Sequence, residues 1–70
     1  MKIAIIGYGK MGKEIEAIAL ERGHSISSAF SSHHPFHAQS EIDADVAIEF
    51  SAPSLALKHI RLCLDKNIPV

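Results

Sequence analysis

The feature that most narrows what this chain can fold into is Gly7-Tyr8-Gly9-Lys10-Met11-Gly12, set directly behind the apolar run Lys2–Ile6. A continuous β-branched and apolar run fits a strand buried on both faces, as parallel sheets require. The pattern G-x-G-x-x-G is weak alone; between a buried strand and the start of a helix it points to phosphate binding. Each glycine then has a task. Gly7 allows the tight turn out of the strand, Gly9 leaves room for a pyrophosphate beside the backbone, and Gly12 lets the helix pack closely on the sheet. Free N–H groups and the positive dipole end of the helix hold the phosphates. Tyr8, Lys10 and Met11 fill the intervening places and complete the candidate cofactor-binding loop.

The rest of the chain alternates between the two periods. Lys10–Arg22 carries apolar residues at Met11, Ile15, Ile18, Ala19 and Leu20, and Gly23 is placed to stop the helix. His24–Phe30 reads as a second strand with Ile26, Ser28 and Phe30 on one face. Ser31–Glu41 is polar, contains Pro35 and has no period, so it reads as a loop. Asp45–Phe50 is a third strand around Val46-Ala47-Ile48. Pro53 suits a first helical turn, and Ser54–Lys66 follows with Leu57, Ile60, Cys63 and Leu64 on one side and Asn67 beyond its end. Asn67-Ile68-Pro69-Val70 reads as a fourth strand cut off at its start.

Strands alternating with helices imply a parallel α/β sheet of Rossmann type, here partial, with right-handed crossovers. Strands near 2–6, 25–30 and 45–50 and helices near 11–22 and 54–66 are expected. The stretch 31–44 is too short for a helix and a strand of normal length. The third strand is therefore expected on the far side of the first, in the order second, first, third.

Seventy residues form one small unit, expected to be the amino-terminal part of a dinucleotide-binding domain spanning 1–70. With 47% hydrophobic and 21% charged residues and a net charge of −1, the chain is neither disordered in type nor basic enough to suggest nucleic acid. Its apolar stretches fall far short of the roughly 20 residues that cross a bilayer, and no leader-like segment is visible. The lone Cys63 cannot form an internal disulfide and reads as a small core residue, which suits a reducing cytoplasm.

The end of the second strand bears on the choice of cofactor. Sheets that prefer NAD usually place an acid there, about 20 residues past the glycines, to accept bonds from the ribose hydroxyls. Here the chain has Phe30-Ser31-Ser32-His33-His34. Hydroxyls and imidazoles without a carboxylate suit a 2′-phosphate, and Lys10 adds a positive charge nearby. NADPH is therefore favoured, with NADH possible. His33, His34 and His37 lack a Cys or carboxylate at ligand spacing and flank Pro35, so no metal site is expected. His24 and His59 read as structural or surface residues.

Two segments carry a family resemblance. Lys2–Lys13 resembles the opening of the 4-hydroxy-tetrahydrodipicolinate (dihydrodipicolinate) reductases, whose glycine loop ends Gly-Arg-Met-Gly or Gly-Lys-Met-Gly. Asp45-Val46-Ala47-Ile48-Glu49-Phe50-Ser51-Ala52-Pro53 is similar to their Asp-Val-x-Ile-(Asp/Glu)-Phe-(Ser/Thr)-x-Pro segment. The resemblance implies an NAD(P)H-dependent oxidoreductase of lysine and diaminopimelate biosynthesis, cytoplasmic and homo-oligomeric when complete. In it Gly7–Gly12 would hold the pyrophosphate, Ser31 and Ser32 would face the adenosine ribose, and Phe50 and Ser51 would border the nicotinamide side. Ser31 and Ser32 depart from the acid-then-Arg that the family often has. The family's Gly-Thr-Thr-Gly loop and His-His-x-x-Lys catalytic segment would lie beyond Val70. No catalytic residue is thus expected here, and the small-molecule substrate would be met only by the complete protein. Another nicotinamide dehydrogenase, aspartate- or sugar-dehydrogenase-like, and a non-catalytic nucleotide-sensing module are the alternative readings.

Overall fold

A computed structural model describes residues 1–70. The elements follow in the order β1 (Lys2–Ile6), α1 (Lys10–Glu21), β2 (Ser25–Phe30), β3 (Val46–Glu49) and α2 (Pro53–Asp65). The three strands are parallel and lie in the order β2-β1-β3. The chain after β2 therefore crosses over β1, as the length of the 31–44 segment requires. This is the opening of a Rossmann-type sheet. No helix is long and apolar enough to cross a membrane.

The apolar run of β1 is explained by its central place. Ile3 and Ile5 pack with Ala19 of α1 and with half-buried Ile15, Ile26, Val46 and Ile48. Ala4 and Ile6 face the other way, into a larger cluster with Phe30, Phe36, Ala47, Cys63 and Ile68. Successive side chains of a strand point to opposite faces, so β1 is buried on both and joins the two layers.

Three details differ from the sequence-based expectation. Ile26 and Phe30 do not share a face. Ile3 pairs with Ile26 but Ala4 pairs with Ser28, so Ser27 is an extra residue in a β-bulge. Past it the alternation is inverted, which sends Ile26 to the α1 layer and Phe30 to the α2 layer. The helix faces are also narrower than the apolar residues suggest. On α1 the buried residues are Gly12 and Ala19, while Met11, Ile18 and Leu20 are about half exposed. On α2 they are His59 and Cys63, with Leu57 and Leu64 turned outward. The buried positions include the small residues Gly12, Ala19 and Cys63, which allow the helices a close seat on the sheet. Finally, the polar loop hides a core residue: Phe36 is 2% exposed and tilts against Phe30 with ring centroids 4.9 Å apart.

The two helices end alike. His24 N–H donates to the Ala19 carbonyl (2.9 Å) and Gly23 N–H to Leu20 (3.1 Å); Ile68 N–H donates to Cys63 (2.9 Å) and Asn67 N–H to Leu64 (3.0 Å). These are Schellman closures around Gly23 (φ 86°) and Asn67 (φ 58°). The second closure returns the chain to the sheet, where the Pro69 carbonyl accepts the Ala47 N–H at 2.8 Å. Phe50 N–H donates to Ile6 on β1. Since N–H groups alternate sides along a strand, Ala47 uses the opposite edge of β3.

Cys63 is fully buried, and desolvation, with the Glu49 charge adding to it, pushes its thiol above the ordinary range. The thiolate is the reactive form. Labelling by a disulfide reagent at pH 8 should therefore be slow and follow unfolding, accelerating with added urea. Rapid native-state labelling would contradict this packing.

Candidate functional site

The carboxyl ends of the three strands converge on a cavity of about 570 Å³, within the roughly 300–1,000 Å³ usual for small-molecule sites. Its walls come from Gly7, Tyr8 and Gly9 after β1, from Phe30, Ser31 and Ser32 after β2, and from Phe50, Ser51 and Ala52 after β3. Pro35 and Phe36 of the crossing loop and Leu55 and His59 of α2 complete it. The strand order changes direction at β1, and ligands of open α/β sheets bind in the crevice beyond such a point.

The turn after β1 is held from both sides. Gly7 and Tyr8 N–H groups both donate to the Phe30 carbonyl, at 2.9 and 2.7 Å, and Gly9 N–H donates to Gly7 (2.9 Å). Gly7 has φ 105°, a region side chains strongly disfavour, and a Cβ there would lie 2.6 Å from the Phe50 carbonyl carbon and oxygen and 2.7 Å from Ser51 N. The glycine is thus demanded by the β3–α2 loop as much as by the turn. A Cβ on Gly12 would meet the Gly7 carbonyl oxygen at 2.8 Å, so Gly12 sets the close seat of α1. Gly9 is different: a Cβ there meets nothing within 4 Å. The protein itself gives no reason for glycine at that place, and the open space over it adjoins the cavity.

Neither helix that starts at this cavity has a side-chain cap. Gly9 and Ala52, the two N-cap residues, both line the cavity, and no acid occupies either first turn. The N–H groups of Lys10, Met11, Gly12 and Ser54 donate to no protein acceptor. Two positive dipole ends with free donors at one cavity favour an anion.

Of the residues singled out from the sequence, Gly7, Tyr8, Gly9, Ser31, Ser32, Phe50 and Ser51 line this one cavity. Lys10 and Met11 are exposed in the first turn of α1 and Gly12 is buried beneath it, so these three stand behind the wall. The Tyr8 hydroxyl is turned along α1, donating to Glu16 at 2.6 Å. That bond, with desolvation and the Glu16 charge, raises the phenol above its usual range. Ser31 forms a small antiparallel bridge with His34 and its hydroxyl oxygen accepts the His33 N–H (3.2 Å), which leaves the hydroxyl proton free to donate. His34 stacks on Phe30, with centroids 5.2 Å apart and planes 8° from parallel.

Sequence reasoning missed a polar cluster behind Ser51. Glu49 accepts the Ser51 N–H at 2.7 Å and the Ser51 hydroxyl on one oxygen, and His59 Nδ1 (2.7 Å) on the other. The Glu49 and His59 side chains are only 7% and 10% exposed. The signal was present: His59 lies one turn before Cys63 on the inner face of α2, and Glu49 ends a buried strand. Polar groups at facing interior positions require each other.

Comparison with known proteins agrees with this architecture. The family described as dihydrodipicolinate reductase, N-terminus, matches residues 1–70. The chain belongs to that family. A 4-hydroxy-tetrahydrodipicolinate reductase of Christiangramia forsetii is 41% identical over 70 residues, covering all of this chain and 29% of that protein. Another from Staphylococcus saprophyticus is 37% identical, covering all of this chain and 32% of its own length. One from Staphylococcus aureus (strain N315) is 40% identical over 63 residues, 79% of this chain and 26% of that protein. The chain thus spans less than a third of the length of these relatives. Membership favours the reductase over the aspartate- or sugar-dehydrogenase alternative.

Proposed function

We propose that the chain is the cofactor-gripping part of a 4-hydroxy-tetrahydrodipicolinate reductase, binding the pyrophosphate of NAD(P)H across the Gly7–Gly12 loop. The observation that carries this reading is the contrast among the glycines. Gly7 and Gly12 face backbone closer than a Cβ allows, whereas Gly9 faces empty space at a cavity that two helices meet with uncapped N-termini, at Gly9 and Ala52. The cofactor supplies a hydride from C4 of the nicotinamide to the unsaturated ring of a cyclic dicarboxylate, and the chain's own work is to hold and orient it. Phe50 and Ser51 border the nicotinamide side, Ser31 and Ser32 the adenosine ribose, with Lys10 contributing charge. A complete protein of this kind would serve lysine and diaminopimelate synthesis as a cytoplasmic homo-oligomer, its substrate and catalytic groups held outside residues 1–70. Titrating NADPH and NADH into the complete protein by calorimetry tests the reading; absence of binding by either would reject it.

NADPH is the favoured cofactor. Ser31 removes the acceptor pair that an acid offers to ribose hydroxyls and offers a free hydroxyl proton to a 2′-phosphate instead. A hydrogen bond to a charged group contributes about 1.5–3 kcal/mol, and exposure reduces this through salt screening over a Debye length of about 8 Å. A modest NADPH preference that shrinks with added salt is expected. Ser31→Glu should lower the NADPH/NADH affinity ratio by about tenfold or more, through lost donation and new repulsion. An unchanged ratio in the folded variant would show that residue 31 does not read the ribose.

A further inference from the structure

His59 is a buried ring with one nitrogen left over. Its Nδ1 lies 2.7 Å from Glu49 Oε2 and 3.0 Å from the Ser51 hydroxyl. The ring is packed beside Phe36, with centroids 5.9 Å apart, and its side chain is nine-tenths buried. No protein group bonds Nε2, yet no buried polar atom is without a partner. Nε2 therefore reaches the surface, and the surface that His59 lines is the wall of the cavity.

The bonding around Glu49 sets which nitrogen carries the proton. A carboxylate only accepts. Its oxygen beside Nδ1 requires Nδ1–H, and a neutral imidazole protonated at Nδ1 has an acceptor at Nε2. We propose that His59 is a cofactor-binding residue. It presents Nε2 to the cavity as a hydrogen-bond acceptor for a hydroxyl or amide N–H of the nicotinamide-ribose half of the dinucleotide, with Glu49 as the positioning residue that holds this tautomer. The inference rests on the cofactor reading above. It extends that reading to a side chain on α2, two turns beyond the helix start. Ser51, whose N–H and hydroxyl both bind Glu49, ties the same carboxylate to the loop that abuts Gly7.

The test uses the complete protein with NADPH, and ADP-ribose 2′-phosphate as a probe lacking the nicotinamide. His59→Asn keeps an N–H near the place of Nδ1 and deletes Nε2. One neutral hydrogen bond corresponds to about three- to tenfold in affinity. His59→Asn should weaken NADPH by that factor, leave the nicotinamide-free probe unchanged and leave the urea midpoint near that of the parent. In ¹⁵N spectra of labelled histidine, the parent should show Nε2 unprotonated and shifting when NADPH saturates the site. Glu49→Gln offers an amide N–H to Nδ1 and should switch the proton to Nε2. Equal NADPH affinity in His59→Asn, an Nε2 resonance unmoved at saturation, or a parent protonated at Nε2 would each overturn the proposal. If NADPH binds and shifts the glycine-loop amides while Nε2 stays still, the cofactor reading survives and the His59 inference alone fails. If neither NADPH nor NADH binds, both fail.

Discussion

Gly7→Ala is expected to cost the protein about 3 kcal/mol or more of folding stability, at or above the upper end of the usual range for single substitutions. Two effects add. A backbone held outside the regions open to side chains costs of the order of 1–3 kcal/mol once a Cβ is present. The Cβ also enters backbone, not a flexible side chain: the Phe50 carbonyl carbon and oxygen and Ser51 N lie 2.6–2.7 Å away. Relief requires the β3–α2 loop to retreat from the turn, and Glu49 anchors that loop through Ser51. Urea denaturation of the complete protein should show a much lower midpoint or no folded baseline. A midpoint near that of the parent would mean that the two loops do not meet as described.

Gly9→Ala is expected to do the reverse. Nothing lies within 4 Å of the new Cβ, so stability should change by less than about 1 kcal/mol, the range of a Gly-to-Ala exchange at an unstrained site. Cofactor affinity should nevertheless fall about 10- to 100-fold. The methyl group pushes a pyrophosphate off the helix start and weakens one or two charge-assisted bonds of about 1.5–3 kcal/mol each. Calorimetric titration of the folded variant with NADPH checks this, and unchanged affinity would remove the phosphate from Gly9. Together the two alanine variants separate a glycine kept for the protein from one kept for its ligand.

Much of the architecture was legible before the structure. Ile3–Ile6 admits no solvent-facing side, Gly23 and Asn67 mark helix ends, and the 31–44 segment is too short to hold β3 on the β2 side. Local chemistry decides these points. What stayed hidden depends on register and on contacts between distant segments. An apolar residue on a helix may face either way when small residues such as Gly12, Ala19 and Cys63 set the close approach, so Met11 and Leu57 looked like core and are not. Phe36 sits in a polar stretch without period, and only the crossing path of that loop brings it over Phe30. The candidate site was legible in its glycines and in Ser31 and Ser32, which follow strand ends, while Phe50 and Ser51 are marked by the family resemblance. Glu49 and His59 were not, since their meaning lies in a pairing ten residues apart across β3 and α2.

The bulge in β2 has a bearing on how this chain tolerates change. A strand conserves parity: residues an even number apart stay on one side unless something is added between them. Ser27 is that addition, with an exposed side chain and only a long 3.5 Å contact to the Ile3 carbonyl. Its contribution is arithmetical, a count of one that lets a single strand serve the layer below the sheet at Ile26 and the layer above it at Phe30. The position is therefore permissive in what occupies it and strict in being occupied. Losing it would bring Phe30 to the wrong side and withdraw the carbonyl on which the turn at Gly7 and Tyr8 hangs.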